Sequence, residues 1–521
     1  MQDKRPNILF AIADDASHMS AYGQSFLSTP AFDRVAAQGV IFTNAFTTNP
    51  KCAPSRASIL TGRHTWELEE ACNHWNVWPA KFPVYPDVLA DNGYFVGYTG
   101  KGWGPGDWKR EGRTTNPAGP SFDRHTLDPP SPSISAKDYA QNFVGFLNER
   151  PQETPFCFWY GGHEPHRPYH GGEGREHGKE VPGSQVPSYF PSDEVVRDDL
   201  ADYAFEVEWF DRHLGRMLDE LERRGELENT LVVVTSDNGM PFPRVKGQMY
   251  EDDFRLPMAM MWLGASQRFG ESADPPQTVS AMEVSAHSPL PPDLQNTGRP
   301  KTADTRTVRG GRILTDLISF IDIAPTILDA ARLPAHEAMT GRSFLALFTG
   351  PSTGRHDAAR DRVCMGRERH DLGREGDLGY PVRCIRTEEY LYVRNLAPER
   401  WPAGNPETGY TGCDSSPTKD LIIRQHEGGE DRYWARAFGK RPPEELYRIT
   451  TDPECLHNLA AEPQYAGVTE LLWAELQGYL RAQNDPRILG FGEIFDTYEY
   501  VGDPPHSWAN YVAGTWRPQP Y

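Results

Sequence analysis

From Asn7 to about residue 350 the chain alternates short, largely apolar runs with segments of three- and four-residue periodicity. This alternation constrains the fold more than any other feature. Apolar runs without polar alternation make strands buried on both faces, and such strands need helices on either side. Asn7–Ala13 reads Asn-Ile-Leu-Phe-Ala-Ile-Ala, and Val40–Phe46, Tyr94–Thr99, Pro155–Tyr160 and Leu231–Thr235 read as further strands. Thr29-Pro30 opens a helix that Gly39 ends. Leu200, Tyr203, Val207, Phe210, Leu214, Met217 and Leu221 line one face of a long amphipathic helix that stops near Gly225. Asp316–Ala331 reads as another helix, kinked or restarted at Pro325. The class is α/β.

At 521 residues the chain is too long for one compact core, and two domains are expected. The α/β pattern occupies residues 1–352. Within it a Pro-, Ser- and Thr-rich stretch at about 265–312 has little periodicity and is expected to be a mobile or interfacial insertion. Residues 353–521 suggest a smaller α+β unit. Tyr380–Arg386 and Tyr390–Asn395 read as paired strands, Glu445-Leu446-Tyr447 precedes a Thr-Asp-Pro turn, and Leu471–Ala482 reads as a helix before an aromatic, Pro-rich tail.

The net charge of −20 argues against a nucleic-acid partner, and an anionic substrate would need a locally basic pocket. No run reaches transmembrane length, so no membrane partner is expected. No apolar h-region follows Met1. The location is cytoplasmic if Met1 is native, and periplasmic or secreted if a signal peptide has been removed. Seven cysteines show neither CxxC nor Cys/His zinc spacing, and reduced thiols are the simpler reading.

Four polar groups fall just past the carboxyl ends of four predicted strands: Asp14-Asp15, Lys101, His163 with His166, and Asp237-Asn238. Open α/β sheets bind ligands at those ends, so one site can collect all four. Asp14, Asp15, Asp237 and Asn238 offer only oxygen, which selects Ca²⁺, or less readily Mg²⁺, over zinc. Lys246 lies in Lys-Gly-Gln-Met-Tyr-Glu, on a loop that can reach back over that metal. The string from Cys52 to Gly62, Cys-Ala-Pro-Ser-Arg-Ala-Ser-Ile-Leu-Thr-Gly, places Cys52 just before a helix that Pro54 starts and Gly62 closes. A helix N-terminus favours an anion, and Arg56 adds a planar charged fork about one turn on.

Cys-x-Pro-Ser-Arg-x-x-x-Leu-Thr-Gly resembles the type I sulfatase motif of the alkaline phosphatase superfamily, in which the cysteine is oxidised to formylglycine. The resemblance runs from Arg5-Pro-Asn-Ile to the Leu-Tyr-Arg-Ile-Thr-Thr-Asp-Pro-Glu stretch at 446–454. It implies an alkaline-phosphatase-like sandwich with a large central mixed β-sheet flanked by helices, and a C-terminal α+β part with a short antiparallel sheet. It also implies a formylglycine-generating maturase as partner, and possible homo-oligomers. Formylglycine at 52, also a metal ligand, would be hydrated to a diol; one hydroxyl attacks sulfur and the other later expels sulfate. The metal, Arg56, Lys101 and Lys246 would neutralise the sulfuryl oxygens. His166 would protonate the leaving group, with His163 a weaker neighbour.

Thr-Ser-Asp-Asn-Gly-Met-Pro-Phe-Pro (235–243), His-Glu-Pro-His-Arg and Gly-Tyr-Pro-Val-Arg (379–383) look most like heparan sulfamidase and its bacterial relatives. The implied activity is hydrolysis of a sulfate ester or N-sulfate on a sulfated saccharide. The alternatives are a phosphonate monoester or phosphodiester hydrolase, and a sulfated-glycan binding protein with little turnover. One departure stands out: the family's histidine shortly after the lysine is absent, and Lys101 is followed by Gly-Trp-Gly-Pro-Gly. His74, Trp75, Trp103, Arg367 and His370 are candidate substrate-lining residues.

Overall fold

A computed structural model describes residues 5–265, 311–350 and 352–518. The expected insertion at 265–312 lies almost wholly outside the described residues. The central sheet has seven strands: β1 (Asn7–Ala13), β2 (Val40–Phe42), β3 (Phe95–Gly100), β4 (Phe156–Gly161), β5 (Thr230–Ser236), β6 (Met258–Met261) and β7 (Arg312–Leu314). Their order is β7-β2-β6-β5-β1-β4-β3. All neighbours run parallel except at β6, which is antiparallel to both β2 and β5. The expected large mixed sheet is therefore present.

Both sheet faces are covered, which is why the strands are apolar throughout. In β1, Leu9 and Ala11 pack into a core shared with the helices Pro30–Gln38, Tyr139–Glu149 and Glu194–Arg223. Ile8, Phe10 and Ile12 point the other way, into a core built with the helices Cys52–Thr61 and Ile323–Ala330. Period-two side chains thus divide one strand between two cores.

Two elements differ from expectation. The Val40–Phe46 strand stops at Phe42, and Ala45–Phe46 pairs with Ile318–Ser319 in a separate small sheet. Thr43-Asn44 is the break: Asn44 Nδ2 donates to the Thr315 carbonyl, and Ile318 N–H donates to the Asn44 carbonyl. The helix expected from Asp316 begins only at Ile323. Asp316 instead accepts N–H bonds from His356 and Asp357, so its carboxylate holds a loop. Pro325 then falls in the first turn of the helix, where a missing N–H costs no hydrogen bond.

Beyond residue 352, Arg362–Arg367, Val382–Thr387, Tyr390–Asn395 and Glu444–Arg448 form a four-stranded antiparallel sheet. Its first strand was not legible in the sequence. One face packs on Phe46, Met249 and Phe254, and the other on Trp66 and the Ala466–Ala482 helix. All seven cysteines are buried and unpaired. Among the described residues no helix is long and apolar enough to cross a membrane.

Candidate active site

The backbone ladder runs past the ends of β1, β3, β4 and β5, and this fixes where the polar residues land. Asp14 N–H donates to the Glu164 carbonyl, Lys101 N–H to the Gly161 carbonyl and Asp237 N–H to the Ala13 carbonyl. A Cβ at Gly161 would lie 1.8 Å from the Lys101 carbonyl oxygen, so only glycine lets these chains meet. Asp15 adopts a left-handed backbone (φ 76°), which Asp tolerates better than most residues, and its N–H donates to Asp237 Oδ1 at 3.1 Å.

Asp14, Asp15 and Asp237 each place a carboxylate oxygen within 4.8 Å of the others, fully inside the protein. Cys52 meets the cluster as the first residue of its helix: Sγ lies 3.7 Å from Asp15 Oδ1, and Cys52, Asp14 and His166 form a second close group. The helix starts two residues before Pro54 rather than at it, and Gly62 closes it in the left-handed region (φ 66°). Asn238 Nδ2 donates to Asp15 Oδ1 at 2.7 Å.

Each carboxylate has a cationic partner. Arg56 Nε donates to Asp237 Oδ2 at 2.7 Å, Lys101 Nζ to Asp14 Oδ2 at 2.5 Å, and Lys246 Nζ to Asp15 Oδ2 at 2.6 Å. Burial alone would push the Asp14 carboxyl up. Lys101, with His166, Arg56 and Lys246, overrides burial and holds it well below the usual range. Asp237 goes the other way: burial and the neighbouring Asp14 charge push it up. Carboxylates this close cannot all ionise easily unless a cation joins them. Two buried oxygens, Asp14 Oδ1 and Asn238 Oδ1, lack any hydrogen-bond partner. An oxygen-only donor set with orphaned acceptors fits a hard divalent cation.

His166 Nδ1 lies 2.6 Å from the Arg167 carbonyl. A carbonyl only accepts, so Nδ1 carries the proton there and Nε2, 3.9 Å from Asp15 Oδ2, is the nitrogen that faces the cluster. His163 is held neutral by burial, with its pKa lowered to about 4. Burial and Asp14 push the Cys52 thiol well above its ordinary value. An unmodified Cys52 is thus a poor nucleophile.

The remaining candidates divide. Trp103 is buried, and its indole N–H donates to the Ala53 carbonyl under the Cys52 helix. Arg367 is buried with its guanidinium on the Gly247 and Pro402 carbonyls, and His370 Nε2 pairs with Asn49 Oδ1 at 2.7 Å. These three side chains pack from inside against the Lys246 loop or the Cys52 helix and its preceding segment. His74 is buried on Asp371, whereas Trp75 is 36% exposed. Sequence reasoning missed Lys51, Asp371 and Asp414. Lys51 Nζ lies 2.8 Å from Asp371 Oδ2, and Asp414 Oδ2 lies 3.0 Å from Lys246 Nζ. Adjacency to Cys52 was a usable signal for Lys51; nothing local marks the two aspartates.

The Sulfatase family profile matches residues 6–333. Human N-sulphoglucosamine sulphohydrolase is 27% identical over 92% of this chain and 91% of its own length. An ulvan-active sulfatase of Formosa agariphila is 24% identical over 95% of this chain and 78% of its own. A structure described as a complex with its substrate D-glucosamine-2-N,6-O-disulfate aligns with a TM-score of 0.63 at 18% identity, covering 92% of this chain and 99% of the other. Phosphonate monoester hydrolase of Agrobacterium radiobacter aligns at 0.57 and 17% identity, covering 92% and 96%. The fold is thus shared with both kinds of hydrolase, and the family profile spans well over half of the chain: this chain belongs to the sulfatase family.

Proposed function

We propose that the enzyme hydrolyses a sulfate ester or N-sulfate on a saccharide, with formylglycine formed from Cys52 and Ca²⁺ held by Asp14, Asp15, Asp237 and Asn238. Membership of the family implies formylglycine and a divalent metal in general terms. The observation that carries the reading is the pairing of three buried carboxylates with Arg56, Lys101 and Lys246 around residue 52. With Asp414 also on Lys246 the cluster carries one net negative charge, so a divalent cation and the singly charged sulfate group of an ester or sulfamate can enter together without leaving buried charge uncompensated. The relatives named above act on glucosamine-type and ulvan substrates, which supports a sulfated saccharide.

Formylglycine and the cation would supply an oxygen nucleophile at residue 52 and polarisation of the sulfuryl oxygens. Arg56, Lys101 and Lys246 balance charge on those oxygens from fixed positions that need no rearrangement. Lys246 is kept charged despite burial because Asp15 and Asp414 flank it. His166, as the imidazolium that keeps its Nδ1 proton on the Arg167 carbonyl, gives its Nε2 proton to the leaving oxygen or nitrogen. Trp103 contributes no base, since an indole nitrogen is a donor only, and here it donates to the Ala53 carbonyl.

A screen of defined heparan and ulvan oligosaccharides, with an aryl sulfate and an aryl phosphonate ester in parallel, tests this. Sulfate release from at least one saccharide is expected. Faster turnover of the phosphonate than of every sulfated compound would make the enzyme a phosphonate hydrolase. Tight saccharide binding without sulfate release would make it a glycan-binding protein. Peptide mass mapping of active enzyme should find formylglycine at 52.

A further inference from the structure

Trp75 combines features that a structural tryptophan has no need of. Its backbone is left-handed (φ 51°), an outlier for a bulky side chain and a conformation retained where surroundings enforce it. The enforcement is visible on both sides. Val501 N–H donates to the Trp75 carbonyl at 2.8 Å, and His74 N–H donates to the Arg369 carbonyl at 3.1 Å. Yet the indole is among the few large apolar side chains left open, at 36% exposure.

Residues 500–502 pack against part of the ring. Gly502 lies so close that a Cβ there would sit 2.9 Å from the indole Cδ2, and Tyr500 packs beside it with centroids 6.3 Å apart. The residue before Trp75 is linked to the residue before Cys52. His74 Nδ1 bonds Asp371 Oδ1 at 3.1 Å, Asp371 Oδ2 bonds Lys51 Nζ at 2.8 Å, and Lys51 precedes Cys52. A rigid, partly open aromatic surface, linked through the side chains of His74, Asp371 and Lys51 to the segment that carries Cys52, is suited to the apolar C–H face of a sugar ring. Aromatic faces supply such contact at low entropic cost because few torsions must be fixed.

We propose that Trp75 is a stacking platform for the saccharide ring next to the one that bears the sulfate. The proposal rests on the saccharide reading above and extends it: the site takes oligosaccharides, and Trp75 sets that preference. The clamp by Tyr500, Val501 and Gly502 makes the C-terminal tail part of the substrate site.

The test measures steady-state kinetics of wild type, Trp75→Ala, Trp75→Phe and Gly502→Ala. Substrates are 4-nitrophenyl sulfate and a sulfated saccharide that the wild type hydrolyses, offered as a monosaccharide and as a tetrasaccharide. Wild type should favour the tetrasaccharide. Trp75→Ala should raise KM for the tetrasaccharide about tenfold, which is the stacking contact expressed as affinity, while monosaccharide and aryl sulfate move less than about twofold on the same scale. Trp75→Phe should recover most of the difference. Gly502→Ala, whose new methyl displaces the indole, should weaken the tetrasaccharide in the same direction. Equal losses on all three substrates, or an unchanged tetrasaccharide KM, would overturn the proposal with the saccharide reading intact. A wild type that hydrolyses only the aryl sulfate would overturn both.

Discussion

Asp237 accepts from the Arg56 guanidinium and from Asp15 N–H, so replacing it by alanine would strand a buried arginine and confuse stability with chemistry. Asp237→Asn keeps the shape and removes the charge. Added Ca²⁺ should raise the melting temperature of the wild type by mass action and leave that of Asp237→Asn unmoved, with turnover lost in the variant. Calcium titration by scanning calorimetry reads the first effect without any assay. At His166 the expectation is selective. A general acid contributes ~10²–10⁴-fold, and a phenolate leaving group hardly needs it. His166→Ala should therefore slow a saccharide far more than an aryl sulfate; equal loss on both would recast His166 as a sulfate-binding residue. Cys52, Arg56 and the acid pairs were legible because their chemistry is written in adjacent residues. Asp371 and Asp414 were not, because each acquires meaning only from a lysine more than a hundred residues away.

The Cys52–Thr61 helix depends on its last residue as much as on its first. Gly62 takes a left-handed backbone, returns its N–H to the Ser58 carbonyl, and sits against the Met339 side chain. Gly62→Ala should cost about 1 kcal/mol through the strained backbone, because the flexible methionine can yield. Urea denaturation measures that cost, and a change in the midpoint without a change in slope would place it in the folded state. Strands β1, β3, β4 and β5 were recovered from apolar runs within one residue at either end. The misread elements share a cause. Asn44 and Asp316 sit in segments of favourable periodicity, but their side chains or carbonyls bond distant backbone and divert the chain.

Acid stability belongs to the whole molecule, where the C-terminal part closes on the catalytic part. His64 stacks on Trp66 at 4.2 Å and its Nε2 pairs with Tyr479 Oη at 2.8 Å, joining the segment after the Cys52 helix to the Ala466–Ala482 helix. Burial, aided by the charge of Arg383, lowers its pKa to about 3. The folded form thus resists protonation that the unfolded chain accepts near pH 6.5. Stability is complete above that pH and declines as pH falls toward about 3, because protons then favour the unfolded state. Between pH 7 and 5 the loss should be about 2 kcal/mol from this residue. His64→Gln should flatten the dependence in urea titrations; an unchanged slope with pH would assign the sensitivity elsewhere. A chain with 73 acidic against 53 basic residues still keeps Arg56, Lys101 and Lys246 together around residue 52.

By itself the sequence determined the α/β class, the family and the gathering of Asp14, Asp15, Cys52, Asp237 and Asn238 into one cluster. These follow from short-range chemistry: apolar runs, a helix start and end, and acids placed just beyond strand ends. Only the tertiary structure decided which side chains face one another. It joined Lys51 to Asp371 and Lys246 to Asp414, turned Trp103, Arg367 and His370 inward, and left Trp75 open under the clamp of Val501 and Gly502. Pairings between distant residues are fixed by packing and by the need to neutralise buried charge, and neither leaves a local trace in the chain.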